Sequence, residues 1–291
     1  AESRRFESCP GHIFSKMSVD AKNPRFPLKG KYVALVAPSF VVQFSYPSIV
    51  SRLRKLGFDK VVELTFGAKL VNKEYHKLLS KKKDLVITSP CPGIVELINN
   101  KFPEYKKNLA KIDSPLIAMA KICKEIYPKH KTVFISPCNY KKKEAGSSKY
   151  VDYVIDYREL DKLFLKYKIS ESNKKDSFDK FYNDYTKIYP LSGGLAKTAH
   201  LRGVIKKKEI KIIDGISKTM AFLKNPDPKI RLLDVLFCEG GCVGGPSIVS
   251  NLNLKKREKK VKEYLKISKR EEISSSKKGL FSRAKGILFS R

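Results

Sequence analysis

The stretch LFCEGGCVGG, residues 236–245, sets two cysteines four positions apart in a run that holds four glycines. It continues RLLDVLF (231–237), an apolar run with the length of a buried strand, so Cys238 stands directly past a predicted strand end. A disulfide, a zinc ion, an iron–sulfur cluster and a chance pair all remain open on this stretch alone. The positions of the other cysteines separate them.

The same arrangement recurs upstream. DLVITS (84–89) reads as a strand and runs into Pro90-Cys91-Pro92, and TVFIS (132–136) reads as a strand and runs into Pro137-Cys138. KYVALVA (31–37), KVVEL (60–64), KYVDYVIDY and EIKIIDG read as further strands. SIVSRLRKLG (48–57), AKLVNKEYHKLLSKK (68–82), GIVELINNKF and LIAMAKICKEIY have helical spacing. Alternation of strand and helix predicts an α/β fold with mostly parallel sheet. In such sheets sites assemble at the C-terminal strand edge. Cys91, Cys138 and Cys238 are all delivered there.

Six cysteines (9, 91, 123, 138, 238 and 242) in 291 residues make a disulfide framework a poor fit to a chain this long, with its own core. Structural zinc usually shows two close Cys/His pairs, and only one pair is close here. Thiolates gathered from separate loops select soft metals, and four of them match a 4Fe-4S cubane. Glycines beside Cys238 and Cys242 let backbone amides approach a bulky anionic group. Cys123 falls in an apolar helical stripe with Ile117, Ala120 and Ile126, which reads as core. His12, His76, His130 and His200 show no ligating spacing.

The balance of 61 Lys+Arg against 29 Asp+Glu gives a net charge of +32. The lysines are spread through every segment, with no zinc-finger spacing and no RNP-like aromatic run, so specific nucleic-acid recognition is not expected. An acidic protein partner suits the charge. No apolar run reaches the ~18 residues of a membrane span, and the first residues hold no signal-peptide core. The expected location is the cytoplasm.

Three motifs together resemble the catalytic, H-cluster domain of FeFe-hydrogenases. TSPCPG (88–93) resembles the family's Thr-Ser-Cys-Cys-Pro, SPCNYKKKE (136–144) its Met-Pro-Cys-x-x-Lys-Lys-x-Glu, and FCEGGCVGGP (237–246) its Ala-Cys-x-Gly-Gly-Cys-x-x-Gly-Gly. Lesser matches, VAPS (36–39), RKLGFDKV (54–61), DYVIDYREL (152–160) and SGGLAK (192–197), keep the same order. The resemblance implies two lobes of mostly parallel sheet flanked by helices, with the cluster in the cleft between them. It implies that Cys91, Cys138, Cys238 and Cys242 bind a 4Fe-4S cubane, bridged to a diiron subcluster with CO and cyanide ligands. Lys141 matches the lysine that contacts a cyanide, Glu144 the glutamate that orients it, and Pro38 and Ser39 fall in a cofactor-binding stretch. The activity implied is reversible H2 oxidation coupled to a ferredoxin-type carrier, with maturation proteins supplying the diiron unit.

The departures from the family cluster at the chemistry. The proton-donating cysteine is here Pro90, two methionines are Ser136 and Leu236, and Ser-Pro-Gln reads Ser114-Pro115-Leu116. Of a glutamate-rich relay only Glu74 remains, in EYHKL (74–78). These losses predict slow turnover or a hydrogen-sensing role. The alternative is a 4Fe-4S protein of electron-transfer or iron–sulfur-assembly type that has lost the diiron unit.

The expected organisation is a segment 1–30, a first lobe 31–128, a second lobe 129–254 and a basic helix and tail 255–291. ESCPGHIF, with Cys9, resembles the end of a ferredoxin-type cluster motif, which implies an N-terminal ferredoxin-like module. SSSKKGLFSRAKGILFSR (274–291) reads as a loose, disordered tail.

Overall fold

The computed structural model describes residues 24–171 and 176–290. The expected ferredoxin-like motif around Cys9 lies outside the described residues. In chain order the main elements are β1 (Tyr32–Val36), α1 (Ser48–Lys55), β2 (Lys60–Glu63), α2 (Thr65–Lys81), β3 (Val86–Ile87), α3 (Pro92–Lys101), α4 (Pro115–Ile126) and β4 (Lys131–Ser136). There follow α5 (Tyr140–Gly146), β5 (Tyr153–Asp156), α6 (Tyr157–Lys166), α7 (Gly194–Thr198), β6 (Ile210–Asp214), α8 (Ile216–Lys224), β7 (Leu232–Leu236) and α9 (Leu254–Ser268).

Every named strand pairing is parallel. One sheet has the order β2-β1-β4-β5 and the other β3-β7-β6. β1 and β4 lie inside the larger sheet with both faces covered, so β1 and the Val133–Ile135 centre of β4 are continuously apolar rather than alternating. One face packs Val33, Leu35 and Phe134 against α2 and α4. The other packs Ala34, Val36 and Ile135 with α1, α6 and residues Val261 and Tyr264 of α9. The smaller sheet carries its own cluster around Ile87, Leu233 and Val235, packed with α3 and α8.

The α/β architecture expected from the sequence is the one found. The two sheets each draw strands from both of the stretches 31–128 and 129–254. β4 and β5 of the stretch 129–254 pair beside β1, while β3 of the stretch 31–128 pairs with β7. A buried apolar run carries no label for its partner, and tertiary packing assigns it. β3 is also shorter than the run 84–89. Thr88 Oγ1 accepts the Val235 N–H at 3.0 Å and the Ser89 N–H goes to Tyr75 Oη at 2.9 Å, so side chains replace the ladder there.

Local signals set the helix starts. Asp156 ends β5 and caps α6, accepting the Glu159 N–H at 3.0 Å while Glu159 accepts the Asp156 N–H at 2.8 Å. On α2, Gly67 lies so close to the Pro115 carbonyl that a Cβ would stand 2.4 Å from it, which fixes the approach of α4.

The tail is ordered, contrary to the expectation. The Gly279 N–H donates to Tyr182 O at 2.8 Å and the Asp113 N–H to Phe289 O at 2.9 Å. Ala284 and Phe289 are buried, and the Lys69 and Lys73 ammoniums lie 4.6 and 4.7 Å over the Phe281 ring. Its apolar residues follow neither helix nor strand period, which is why composition alone read as disorder. Among the described residues no helix is long and apolar enough to cross a membrane.

Candidate metal centre

β3 and β7 are neighbours in the smaller sheet, and their C-terminal ends lead to Cys91 and Cys238. β4, in the larger sheet, leads to Cys138. Phe237 ties these ends together. Its ring fills the place where a Cβ on Gly93 would lie, 2.9 Å from Cγ, and its centroid lies 5.6 Å from that of the Tyr140 ring. One aromatic thus joins the loop of Cys91, the loop of Cys138 and the strand end of Cys238.

Cys242 follows through a loop whose backbone is as bare as its sequence. Gly240 and Gly241 have φ of 75° and 76°, in the left-handed region that favours glycine. A Cβ on Gly244 would lie 1.9 Å from Glu239 O, and one on Gly245 2.5 Å from Pro137 O. The second contact seats this loop directly on the Pro137-Cys138 turn, where the Ser247 N–H donates to Pro137 O at 3.1 Å. From the other side the Cys242 N–H donates to Pro190 O at 2.8 Å.

The thiols of Cys138 and Cys242 are perturbed by burial and by neighbouring cysteines. Burial pushes Cys138 up to about 12, with the Cys91 charge adding to it and the backbone N–H groups of Tyr140 and Lys141 opposing. Burial also pushes Cys242 up to about 12, reinforced by Cys91 and Cys138 and opposed by Lys141. All four cysteines nevertheless keep part of their surface accessible. Cys91 and Cys238 pack beside the Ile87, Leu233 and Val235 cluster. Among the described residues no group of three or more His, Cys, Asp or Glu is arranged for a single metal ion. Four thiols drawn from three loops are the donor set that the separate iron corners of a cubane would take. A metal deprotonates its thiol ligands outright and supplies the positive charge they lack.

Other features compensate negative charge. Cys91 is the N-cap of α3, where unsatisfied backbone N–H groups and the helix dipole favour an anion. The Lys141 ammonium donates to Pro90 O at 2.8 Å and to Glu144 Oε2 at 2.5 Å. A cavity of about 520 Å³ borders Glu144, lined also by Ser89, Pro92, Glu96, Asp113 and Lys121.

Positions where the sequence departs from the FeFe-hydrogenase pattern are satisfied within the protein. Ser136 Oγ donates to Cys138 O at 2.8 Å and accepts its N–H at 3.1 Å, so this hydroxyl shapes the ligand turn. Leu116 is fully buried in α4. Glu74 pairs with Lys77 at 2.8 Å. Cys123 is buried in the core, as expected. Ser39 is buried, with Oγ 2.9 Å from Tyr157 Oη; that hydroxyl in turn donates to Ala37 O at 3.1 Å.

Sequence reading missed two groups that support the site. The Lys187 ammonium, fully buried, donates to Glu63 and, at 2.8 Å, to Tyr264 Oη. Arg257 of α9 holds carbonyls of the loop after Cys242. The sole signal was the glutamate ending the apolar run KVVE, since a lysine in so lysine-rich a chain carries no mark of burial.

The sequence model of the family described as the C-terminal domain of the iron only hydrogenase large subunit matches residues 30–246. Iron hydrogenase 1 of Clostridium pasteurianum is 28% identical over 289 residues, covering 79% of this chain and 50% of the relative. The cytosolic Fe-S cluster assembly factor NAR1 of Encephalitozoon cuniculi is 24% identical over 218 residues, covering 66% of this chain and 59% of its own. The chain thus spans about half the length of the curated relatives it matches. An apo form of the FeFe-hydrogenase HydA1 from Chlamydomonas reinhardtii superposes with a TM-score of 0.62 at 16% identity, covering 86% of each chain.

Proposed function

The chain belongs to the family defined by the C-terminal domain of the iron-only hydrogenase large subunit, and from that premise we propose that it holds a 4Fe-4S cubane through Cys91, Cys138, Cys238 and Cys242. Its work is one-electron transfer or iron–sulfur assembly, with hydrogen turnover slow at most. The observation that carries this reading is the engagement of Lys141. The ammonium that would reach a diiron ligand donates instead to the carbonyl of Pro90, the position where a proton-relaying thiol would stand. Position 90 offers no titratable side chain, and a base near the reacting centre with a proton route is what H2 chemistry requires.

When bound, a cubane supplies single-electron redox chemistry. The chain's own residues prepare its place. Phe237 and the glycine loop bring the ligand loops together, and the α3 N-terminus and Lys141 offset thiolate charge. A basic surface suits an acidic, ferredoxin-type carrier, and a cytoplasmic location accords with the cytosolic role in the Encephalitozoon relative's name.

A second reading, the H-cluster-bearing hydrogenase or hydrogen sensor, is favoured by one feature: Lys141 and Glu144 are retained and paired at 2.5 Å. In that reading Pro38, Ser39 and Lys141 contact the diiron unit, and maturation proteins are partners. Anaerobic co-expression with hydrogenase maturases, followed by infrared spectroscopy, separates the two. About four irons per chain, a cubane signal on reduction and no bands from iron-bound CO or cyanide support the first reading. Such bands overturn it in favour of the second. A chain that takes up no cubane refutes both.

A further inference from the structure

The family match ends at residue 246, yet α9, which begins at Leu254, braces the two-cysteine loop. Arg257 Nη1 donates to Val243 O at 3.1 Å, Nη2 to Ser250 O at 2.7 Å and Nε to Leu252 O at 2.8 Å. One guanidinium therefore satisfies three carbonyls in the stretch that follows Cys242, and the first belongs to its immediate neighbour. Leu254, one turn earlier, has its Cδ2 2.9 Å from where a Cβ on Gly240 would lie and 3.4 Å from one on Gly244. Val243 itself is buried in the same cluster as Val261 and Tyr264.

The far end of the helix reaches the opposite side of Cys242. Tyr264 Oη accepts from Lys187, which lies in the short helical turn Tyr185–Ile188. That turn leads to Pro190, whose carbonyl receives the Cys242 N–H. The residue that follows Cys242 is thus held by α9, and so is the turn that precedes the carbonyl receiving its N–H. The Asn253 N-cap, accepting the Lys256 N–H at 2.9 Å, fixes where the helix begins and hence where Arg257 points.

We propose that Arg257 is a positioning residue of the metal centre, holding the Cys238–Cys242 loop in its ligating form through the Val243, Ser250 and Leu252 carbonyls. The inference rests on the cubane reading above. Arginine suits the task because its planar fork presents several donors in fixed directions; lysine, a single point donor, serves one carbonyl at a time. Residues that orient ligand-bearing loops typically change metal affinity about ten- to hundredfold when removed.

The test uses the full chain reconstituted anaerobically with iron and sulfide. Wild type, Arg257→Met, Arg257→Lys and Leu254→Ala are compared with Lys259→Met, an exposed change on the same helix. The readouts are iron release to a chelator, the electron paramagnetic resonance spectrum of the reduced cluster, and thermal unfolding of the apo chain. The expected result is iron release at least about tenfold faster in Arg257→Met, an altered spectrum, partial rescue in Arg257→Lys and no change in Lys259→Met. Leu254→Ala removes the second footing without touching the guanidinium, and its iron release should also quicken if Arg257→Met does not fold. Release and spectrum unchanged in folded Arg257→Met, or unchanged in Leu254→Ala where Arg257→Met does not fold, overturn the proposal while leaving the cubane reading intact. Wild type that binds no cubane overturns both.

Discussion

Replacing Lys187 by Met should destabilise the protein in a way that depends on pH. Glu63 is 2% exposed, its Oε1 has no hydrogen-bond partner, and its Oε2 receives Lys187. Burial raises the pKa of this carboxyl, and the Lys187 ammonium is the largest influence pulling it back. Methionine fills similar volume without the charge, so Glu63 would be left as an uncompensated buried carboxylate and would protonate instead. At pH 7, protonating a group of ordinary pKa 4.5 costs about 3.4 kcal/mol, at about 1.36 kcal/mol per unit. This lies within the range for breaking one partner of a buried pair, about 3–5 kcal/mol. The folded variant binds a proton that its unfolded chain releases, so the penalty shrinks as pH falls and reaches about 1.4 kcal/mol at about pH 5.5. Urea unfolding of the apo chain, followed by far-ultraviolet circular dichroism at both pH values, measures it. A penalty equal at the two values, or below about 1 kcal/mol at about pH 7, would refute the reasoning. Adding Glu63→Gln to the variant should restore most of the loss.

Asp234 is buried on β7 and accepts the Ala196 N–H at 2.9 Å. Burial raises it from 3.8 to about 6. A raised folded pKa favours folding as pH falls through that window and opposes it above, so Asp234→Asn should be more stable than wild type at about pH 7.5, by up to about 3 kcal/mol. The advantage should close below about pH 4, as pH-dependent thermal unfolding would reveal. Gly244→Ala puts a Cβ 1.9 Å from Glu239 O. It should abolish cluster uptake, read as visible absorption after reconstitution, while far-ultraviolet circular dichroism stays unchanged.

Much of this architecture was legible because burial writes itself into composition. β1 and β4 are apolar on both faces since both faces are covered, and the helices announce themselves by spacing, by Pro92 and Pro115 at their starts, and by the Asp156–Glu159 capping box. The placement of Cys91, Cys138 and Cys238 just past strand ends was legible because each follows an apolar strand run directly. What stayed hidden depends on contacts between distant positions. Nothing near Leu85 says that β3 pairs with β7 rather than with β1. Nothing distinguishes Lys187 from its many exposed counterparts until Glu63 is brought against it. The tail read as disorder because Phe281 and Phe289 are anchored individually, to lysines and to the Asp113 backbone, rather than along a periodic face.

The placement of β7 between β3 and β6 has a consequence for the order of events during synthesis. A ribosome releases β3 and Cys91 long before the strand that belongs beside them. Until β7 emerges and slots into the middle of its sheet, Cys91 follows an unpaired strand, and no Phe237 joins its loop to that of Cys138. If the proposed cubane is bound through these cysteines, its loading must follow the emergence of β7. The brief interval when β3 and β6 await their shared neighbour is when the nascent protein is most exposed to wrong pairing and to oxidation of its thiols.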